Sequence, residues 1–270
     1  MFSHAIDVAT NFTNPFVGLR RRANGEVFST MGAFIVVNAD GWILTSGHIL
    51  EDILAQGDGA DAQAHAADGE RVVAHSELWA VPGFMATQPR LAEAHLNPVA
   101  DPGLCRIEPF DGDAVASYPV FRDTASAPVE QGMSVCRLGF PFCDVAARYN
   151  DERGEFVLDD RAFPVPRFAL DGIVARFNRR IAEDGVSSAL FIETSTPGLR
   201  GQSGGPLLDA SGRVCGVQSH TSHVDLGFDA QYASDEGLVT VRQFLNVGAA
   251  THVDEVRPLM DSVSVRYRLG

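Results

Sequence analysis

Apolar residues in this chain come in short runs, and turn-forming Gly, Pro, Asn, Asp or Ser recur between them. The runs include Ala33-Phe34-Ile35-Val36-Val37, Leu104-Cys105-Arg106-Ile107, Ser134-Val135-Cys136-Arg137-Leu138, Gly172 to Phe177, Ala189 to Glu193 and Val214 to Gln218. Glu77 to Val81 is another. Segments of that length with turn-rich flanks read as strands, and many short strands in one chain point to barrels or sandwiches. Asn38-Ala39-Asp40-Gly41, set between two apolar runs, predicts a hairpin, because Asn, Asp and Gly tolerate the positive φ of a tight turn. Helical signals are few: His48 to Gln56, Pro89 to Leu96 and Val241 to Ala250. No apolar run approaches the roughly 20 residues needed to cross a bilayer.

Charge narrows the partners. The chain of 270 residues carries 21 Lys and Arg against 35 Asp and Glu, a net charge of −14. Nucleic-acid binding needs clustered cations to displace counterions, and the densest basic run is only Arg20-Arg21-Arg22. Neither nucleic acid nor membrane is an expected partner. Met1 to Asp7 lacks the basic start and apolar core of a secretory signal, so the expected compartment is the cytoplasm. There Cys105, Cys136, Cys143 and Cys215 are expected as thiols, and no spacing among them suggests a metal site. Residues 57–69 read as an exposed acidic loop without the ligand ladder of a calcium site.

Chemistry concentrates in Gly198-Leu199-Arg200-Gly201-Gln202-Ser203-Gly204-Gly205-Pro206. A serine between glycines can stand on a tight turn with its hydroxyl clear and neighbouring backbone N–H groups aimed at one point. Such a serine is a weak nucleophile until a base takes its proton, and the base needs a carboxylate to fix its tautomer. His48 lies at the end of the run Ile43-Leu44-Thr45-Ser46, and Asp101 immediately precedes the strand Leu104 to Ile107.

In this order of His, Asp and Ser the sequence resembles the chymotrypsin-like serine proteases, and within them the HtrA/Deg branch. Gly41-Trp42-Ile43-Leu44-Thr45-Ser46-Gly47-His48-Ile49 is similar to the family's strand ending in Thr-x-x-His. Asp101-Pro102-Gly103-Leu104-Cys105-Arg106-Ile107 resembles its Asp-x-Ala-x-Leu-x-Ile strand, with Gly103 replacing the alanine. Leu138-Gly139-Phe140-Pro141, Gly172-Ile173-Val174, Gly201-Gln202-Ser203-Gly204-Gly205-Pro206-Leu207 and Gly237-Leu238-Val239-Thr240-Val241 match in order.

The resemblance implies an all-β fold of two six-stranded antiparallel barrels with a short C-terminal helix. Its expected parts are an N-terminal segment (1–30), a first barrel (31–120) carrying His48 and Asp101, a linker (121–130), a second barrel (131–241) carrying Ser203, and a C-terminal helix and tail (242–270). It implies a serine endopeptidase in which His48 is general base and acid, Asp101 its orienter and Ser203 the nucleophile. The Gly201 and Ser203 amides form the oxyanion hole, with no cofactor and no metal. Thr196, Pro197, Gly198, Gln218, Ser219 and His220 line the S1 pocket, which receives the residue before the scissile bond (P1). Glutamate-specific relatives carry His where Gln218 stands, so a polar P1 residue is compatible, whereas no acid stands ready for Lys or Arg. Gln202 occupies the place of the aspartate that pairs with a new N-terminus in trypsin-type zymogens, so loop packing is expected to shape the oxyanion hole. The tail after Gly248 is too short for a PDZ module. The expected partner is a protein or peptide substrate. A different reading is a latent effector or a pseudoprotease binding module, opened by a regulatory protein partner.

Overall fold

The structure is a computed structural model that describes residues 1–54, 72–79, 90–234 and 237–270. The acidic segment 57–69 lies outside the described residues, as do the last residues of two expected elements, 55–56 and 80–81. The fold is mostly β. Its first sheet contains β1 (Thr13–Arg22), β2 (Val27–Val36), β3 (Trp42–Ser46), β4 (Val72–Trp79), β5 (Arg90–Leu96) and β6 (Pro102–Glu108), in the order β4-β1-β2-β3-β6-β5. The expected hairpin joins β2 to β3: Asp40 N donates to Asn38 Oδ1 at 3.0 Å, and Gly41 takes φ 83°. A Cβ at Gly41 would come within 2.7 Å of the Ile107 carbonyl, so the turn closes against β6 only with glycine.

The remaining strands are β7 (Val120–Phe121), β8 (Ser134–Gly139), β9 (Ala147–Asn150), β10 (Glu155–Leu158), β11 (Phe168–Ile181), β12 (Ser188–Thr194), β13 (Pro206–Leu208), β14 (Val214–Ser234), β15 (Gly237–His252) and β16 (Arg268–Leu269). β9 and β10 form a separate hairpin. β13-β8-β11-β12-β15-β14 runs as one sheet and closes into a ring through the β13–β14 pairing, and β7 and β16 extend it in parallel. Among the described residues the architecture is thus a half-barrel sheet beside one six-stranded ring, and of the two six-stranded barrels expected only the second is closed. β4 and β5 are the edges of the first sheet, and no pairing among the described residues joins them.

Three α-helices occur among the described residues, α1 (Ser3–Thr10), α2 (Gly47–Leu54) and α3 (Val253–Ser262), with one 3-10 turn at Gly112–Ala114. None is long and apolar enough to cross a membrane. α2 follows β3 as expected and buries Leu50 and Ile53. It lies so close to β6 that a Cβ at Gly103 would stand 3.1 Å from the Leu50 Cβ, which accounts for glycine in place of the family's alanine.

Two expected helices are strands. Pro89 to Leu96 is rich in helix-forming Leu, Ala and Glu, yet residues 90–96 pair along β6 and His95 packs its ring on Trp42. Val241 to Ala250 is paired in β15 against β14, with Ala250 also beside Ile192 of β12. In both, long-range ladders override local preference. The C-terminal helix starts instead at Val253, where His252 Nδ1 accepts the Asp254 amide at 3.1 Å and Asp254 and Glu255 fill the first turn. The second unit therefore continues to His252, past the expected boundary at 241. Residues 13–22 likewise belong to the first sheet rather than to a separate N-terminal segment.

One apolar core crosses between the sheets, joining Phe34, Leu44, Leu104 and Ile107 to Leu138, Leu208, Val217, Val256 and Met260. A polar tie sits beside it. Thr251 of β15 donates to the carbonyl of fully buried Ala100 at 2.5 Å, holding the residue before Asp101. Replacing Thr251 by Val keeps the shape and leaves that carbonyl without a donor, a loss of about 1–3 kcal/mol. Urea denaturation of the Thr251→Val variant is expected to show a lower midpoint by that amount; an unchanged midpoint would contradict the tie.

Candidate active site

β3 ends at Ser46 inside the core, and the chain turns directly into α2, which puts His48 at the seam of the two sheets. Asp101 reaches it from the loop before β6. That loop is self-built: Asn97 Oδ1 accepts the amides of Val99 and Ala100, both at 3.1 Å, and Asp101 N donates to the Asn97 carbonyl at 2.8 Å. Asp101 sits at φ 64°, a left-handed conformation that Asp tolerates better than most residues. Its carbonyl accepts Gly47 N at 2.5 Å and its Oδ1 accepts His48 N at 2.9 Å, so the backbone of the α2 start is clamped before the side chains meet.

The His48 Nδ1 lies 3.0 Å from Asp101 Oδ2 and 3.2 Å from Oδ1. Against a carboxylate this nitrogen is the donor, which leaves Nε2 with its lone pair. From the second sheet Ser219 donates its hydroxyl to Asp101 Oδ2 at 2.5 Å. Ser219 Oγ is also 2.8 Å from His220 Nδ1, which must then be the donor, since the serine proton is already given. His220, Ser219, Asp101 and His48 thus form one chain of hydrogen bonds ending on the carboxylate from two sides.

The charges follow from this chain. The hydrogen bond to Asp101 raises the pKa of His48 above 6.5, and the carboxylate's charge adds to it against the opposing pull of burial. Burial works to raise Asp101, but its bonds from His48 and Ser219 and the histidine's charge outweigh it and hold the carboxyl below its ordinary value. His220 is pushed down to about 4, first by burial and then by nearby Arg180.

Ser203 lies on the loop between β12 and β13. Its carbonyl accepts Ala33 N of β2 at 2.8 Å, and Gly204 N donates to the Gln218 carbonyl at 2.8 Å, so the loop is tied to both sheets. At Gly204 any Cβ would collide with the Ala33 carbonyl and Thr45 Oγ1. Gly201 takes φ 95°, and a Cβ there would fall 2.5 Å from the Phe140 carbonyl. Gln202 is completely buried; its Oε1 accepts Leu199 N at 3.0 Å and its own amide donates to Leu199 O at 2.9 Å. The amides of Gly201 and Ser203 bond to no described residue. Ser203 Oγ donates to the Ser219 carbonyl at 3.0 Å, while no hydrogen bond among the described residues joins it to His48, whose Nε2 is 3.4 Å from Ser46 Oγ.

The two segments that carry the expected S1 residues, 196–198 and 218–220, meet at Gly198 and Gln218. Thr221 Oγ1 donates to the Gly198 carbonyl at 2.6 Å, tying the segments together, and Gln218 Nε2 donates to His220 O at 2.8 Å. Beneath Thr196 and Pro197 lies a residue absent from the expected set, Arg137 of β8, 1% exposed. Its one sequence signal was a lone cation inside an apolar strand. Among the described residues no group of three or more His, Cys, Asp or Glu is placed to hold a metal ion.

A closed antiparallel ring beside a β half-barrel, with histidine, aspartate and serine at the seam, is the architecture of peptidases of the trypsin-like class. The trypsin-like peptidase domain family matches residues 32–217, and the chain belongs to it. No curated protein matches the chain. Among solved structures it is similar to the HtrA-type protease AlgW with tripeptide, at TM-score 0.52 and 18% identity over 97% of this chain and 63% of that one. A serine-substituted form of AlgW with tripeptide gives the same values. It is also similar to Rv3671c from M. tuberculosis H37Rv, a Ser-to-Ala mutant in an inactive form, at TM-score 0.50 and 14% identity over 100% of this chain and 95% of that one. At these identities the likeness is one of fold, and the chain spans 63% of the length of AlgW.

The titration behaviour is measurable by NMR of the imidazole protons. His48 is expected to titrate above 6.5 and to move downward in Asp101→Asn, because the neutral amide no longer favours the imidazolium; His220 is expected to stay neutral until about pH 4. A His48 midpoint unaffected by Asp101→Asn would contradict the pairing.

Proposed function

We propose that the protein is a serine endopeptidase that cleaves peptide bonds of a protein substrate through an acyl-enzyme, with Ser203 as nucleophile, His48 as base and Asp101 as its positioning residue. The observation that carries this reading is the His48–Asp101–Ser219 hydrogen-bond set, which holds the His48 ring with Nδ1 as donor and Nε2 as the proton-accepting nitrogen. Catalytic hydrogen bonds are often unmade before substrate binds. For catalysis the Ser203 hydroxyl leaves the Ser219 carbonyl and donates to His48 Nε2. The oxygen then attacks the scissile carbonyl carbon as its proton passes to Nε2. Negative charge develops on the substrate oxygen, and the unpaired amides of Gly201 and Ser203 are its donors. The imidazolium, stabilised by Asp101, returns the proton to the leaving amine. Water, deprotonated by His48, then attacks the acyl carbon, the bond to Ser203 Oγ breaks, and His48 returns the proton to that oxygen.

A second reading is a latent site that a protein partner opens. It draws on the resting bond of Ser203 to Ser219 O and on the Thr221–Gly198 tie across the S1 walls. Treatment of the purified chain with a fluorophosphonate, followed by intact mass and peptide mapping, separates the two. Stoichiometric modification of Ser203, abolished in Ser203→Ala, is the expected result, and a folded chain that stays unmodified would favour the latent site. Asp101→Asn is expected to lower kcat by about 10⁴, since the imidazole then presents the wrong tautomer to the serine. A loss below tenfold in steady-state cleavage would remove Asp101 from the mechanism.

A further inference from the structure

We propose that Arg137 is the floor of the S1 pocket and that the enzyme prefers an acidic side chain, Glu or Asp, at P1. This rests on the serine-endopeptidase reading above.

The argument starts from an imbalance of charge. Among the described residues two other charged side chains are comparably buried, and each has a counter-ion: Glu193 is paired with Arg176 and bonded by Asn178, and Asp209 is paired with Arg122 and Arg213. Arg137 has none among the described residues. Its Nη1 donates to the carbonyls of Thr196, at 3.1 Å, and Pro197, and its Nη2 to Thr194 Oγ1, all neutral acceptors. Its Nε is buried without a partner. A guanidinium has five N–H donors in a fixed fork, so this one keeps donors to spare. Burial draws its pKa down to about 10, which still leaves it charged at neutral pH.

The location turns this imbalance into recognition. Thr196 and Pro197, whose carbonyls hold the guanidinium, belong to one expected wall of S1. On the other side the guanidinium lies flat on Gly248 of β15, where a Cβ would stand 2.5 Å from Nη2 and 2.7 Å from Cζ. Glycine at 248 is thus the condition for a cation at that depth. Nearby, the Gln218 amide packs against Gly198, and the Thr221 hydroxyl donates to the Gly198 carbonyl. Entry of a P1 side chain between these two segments would part Thr221 from Gly198. A carboxylate can take over as acceptor for that hydroxyl and supply the charge that Arg137 lacks. A neutral chain leaves the broken bond and the buried cation uncompensated, and a Lys or Arg adds a like charge.

The test uses the full chain and a matched series of peptidyl diphenyl phosphonates that differ only at P1, carrying Glu, Gln, Leu or Lys, with the rate of Ser203 modification read by intact mass. An untargeted fluorophosphonate is run beside them. The expected result is modification by the Glu probe on the order of 100-fold faster than by its neutral isostere Gln, and no measurable modification by the Lys probe. In Arg137→Gln, checked for folding by circular dichroism, the Glu-over-Gln ratio is expected to collapse toward one. If that variant does not fold, the wild-type ratio decides alone. Modification by the fluorophosphonate together with a Glu-to-Gln ratio near one, or faster reaction with Leu or Lys, would overturn the acidic preference and leave the serine mechanism standing. A folded chain that no probe modifies would overturn both.

Discussion

The carboxylate of Asp101 is the point at which the two sheets are held to a common geometry. His48 approaches it from the end of β3, Ser219 from β14, and the backbone of Gly47 and His48 is bonded to the same residue. Thr251 of β15 holds the preceding carbonyl. A half-buried carboxylate with several donors is costly to disturb, because each lost donor leaves charge in a poorly solvating place. Relative movement of the sheets would break several of these bonds together.

The serine loop depends on the same seam in a different way. Its position comes from the absence of side chains: Gly204 lies on Ala33 and Thr45, Gly201 on Phe140, and Gly139 beneath Gln202. These contacts bring backbone against backbone, and only then can Ala33 N reach the Ser203 carbonyl. Gln202, buried and bonded to Leu199 in both directions, closes the loop without an ion pair. The polar groups beneath Thr196 and Pro197 follow another rule. There a cation is accepted into the interior by carbonyl and hydroxyl oxygens, and room for it comes from a glycine on the neighbouring strand.

The strands near the site were legible because their apolar runs are short and their turns carry the expected residues; β2, β3, β6, β8 and β12 fall where those runs lie. The elements that misled are those with ambiguous local chemistry. Arg90-Leu91-Ala92-Glu93-Ala94-His95-Leu96 has helix-forming residues but becomes a strand because β6 offers it an open edge. The residues before Val253 repeat apolar side chains at helix-compatible spacing, yet their partners in β14 are distant in sequence until the hairpin forms. Among the described residues no pairing closes the first sheet, whose edges are β4 and β5.

By itself the sequence determined the β class of the fold and the identities of His48, Asp101, Ser203, Gly201 and Gln202 as the residues to examine, since glycine turns and the ends of apolar strands leave local signatures. The tertiary structure alone decided that Ser203 rests its hydroxyl on Ser219, that His220 extends the chain of bonds to Asp101, and that Arg137 lies beneath Thr196 and Pro197 with no counter-ion among the described residues. Those outcomes depend on where strands distant in sequence come side by side. Hydrogen-bond partners and counter-ions are properties of that juxtaposition, and no local pattern of residues encodes them.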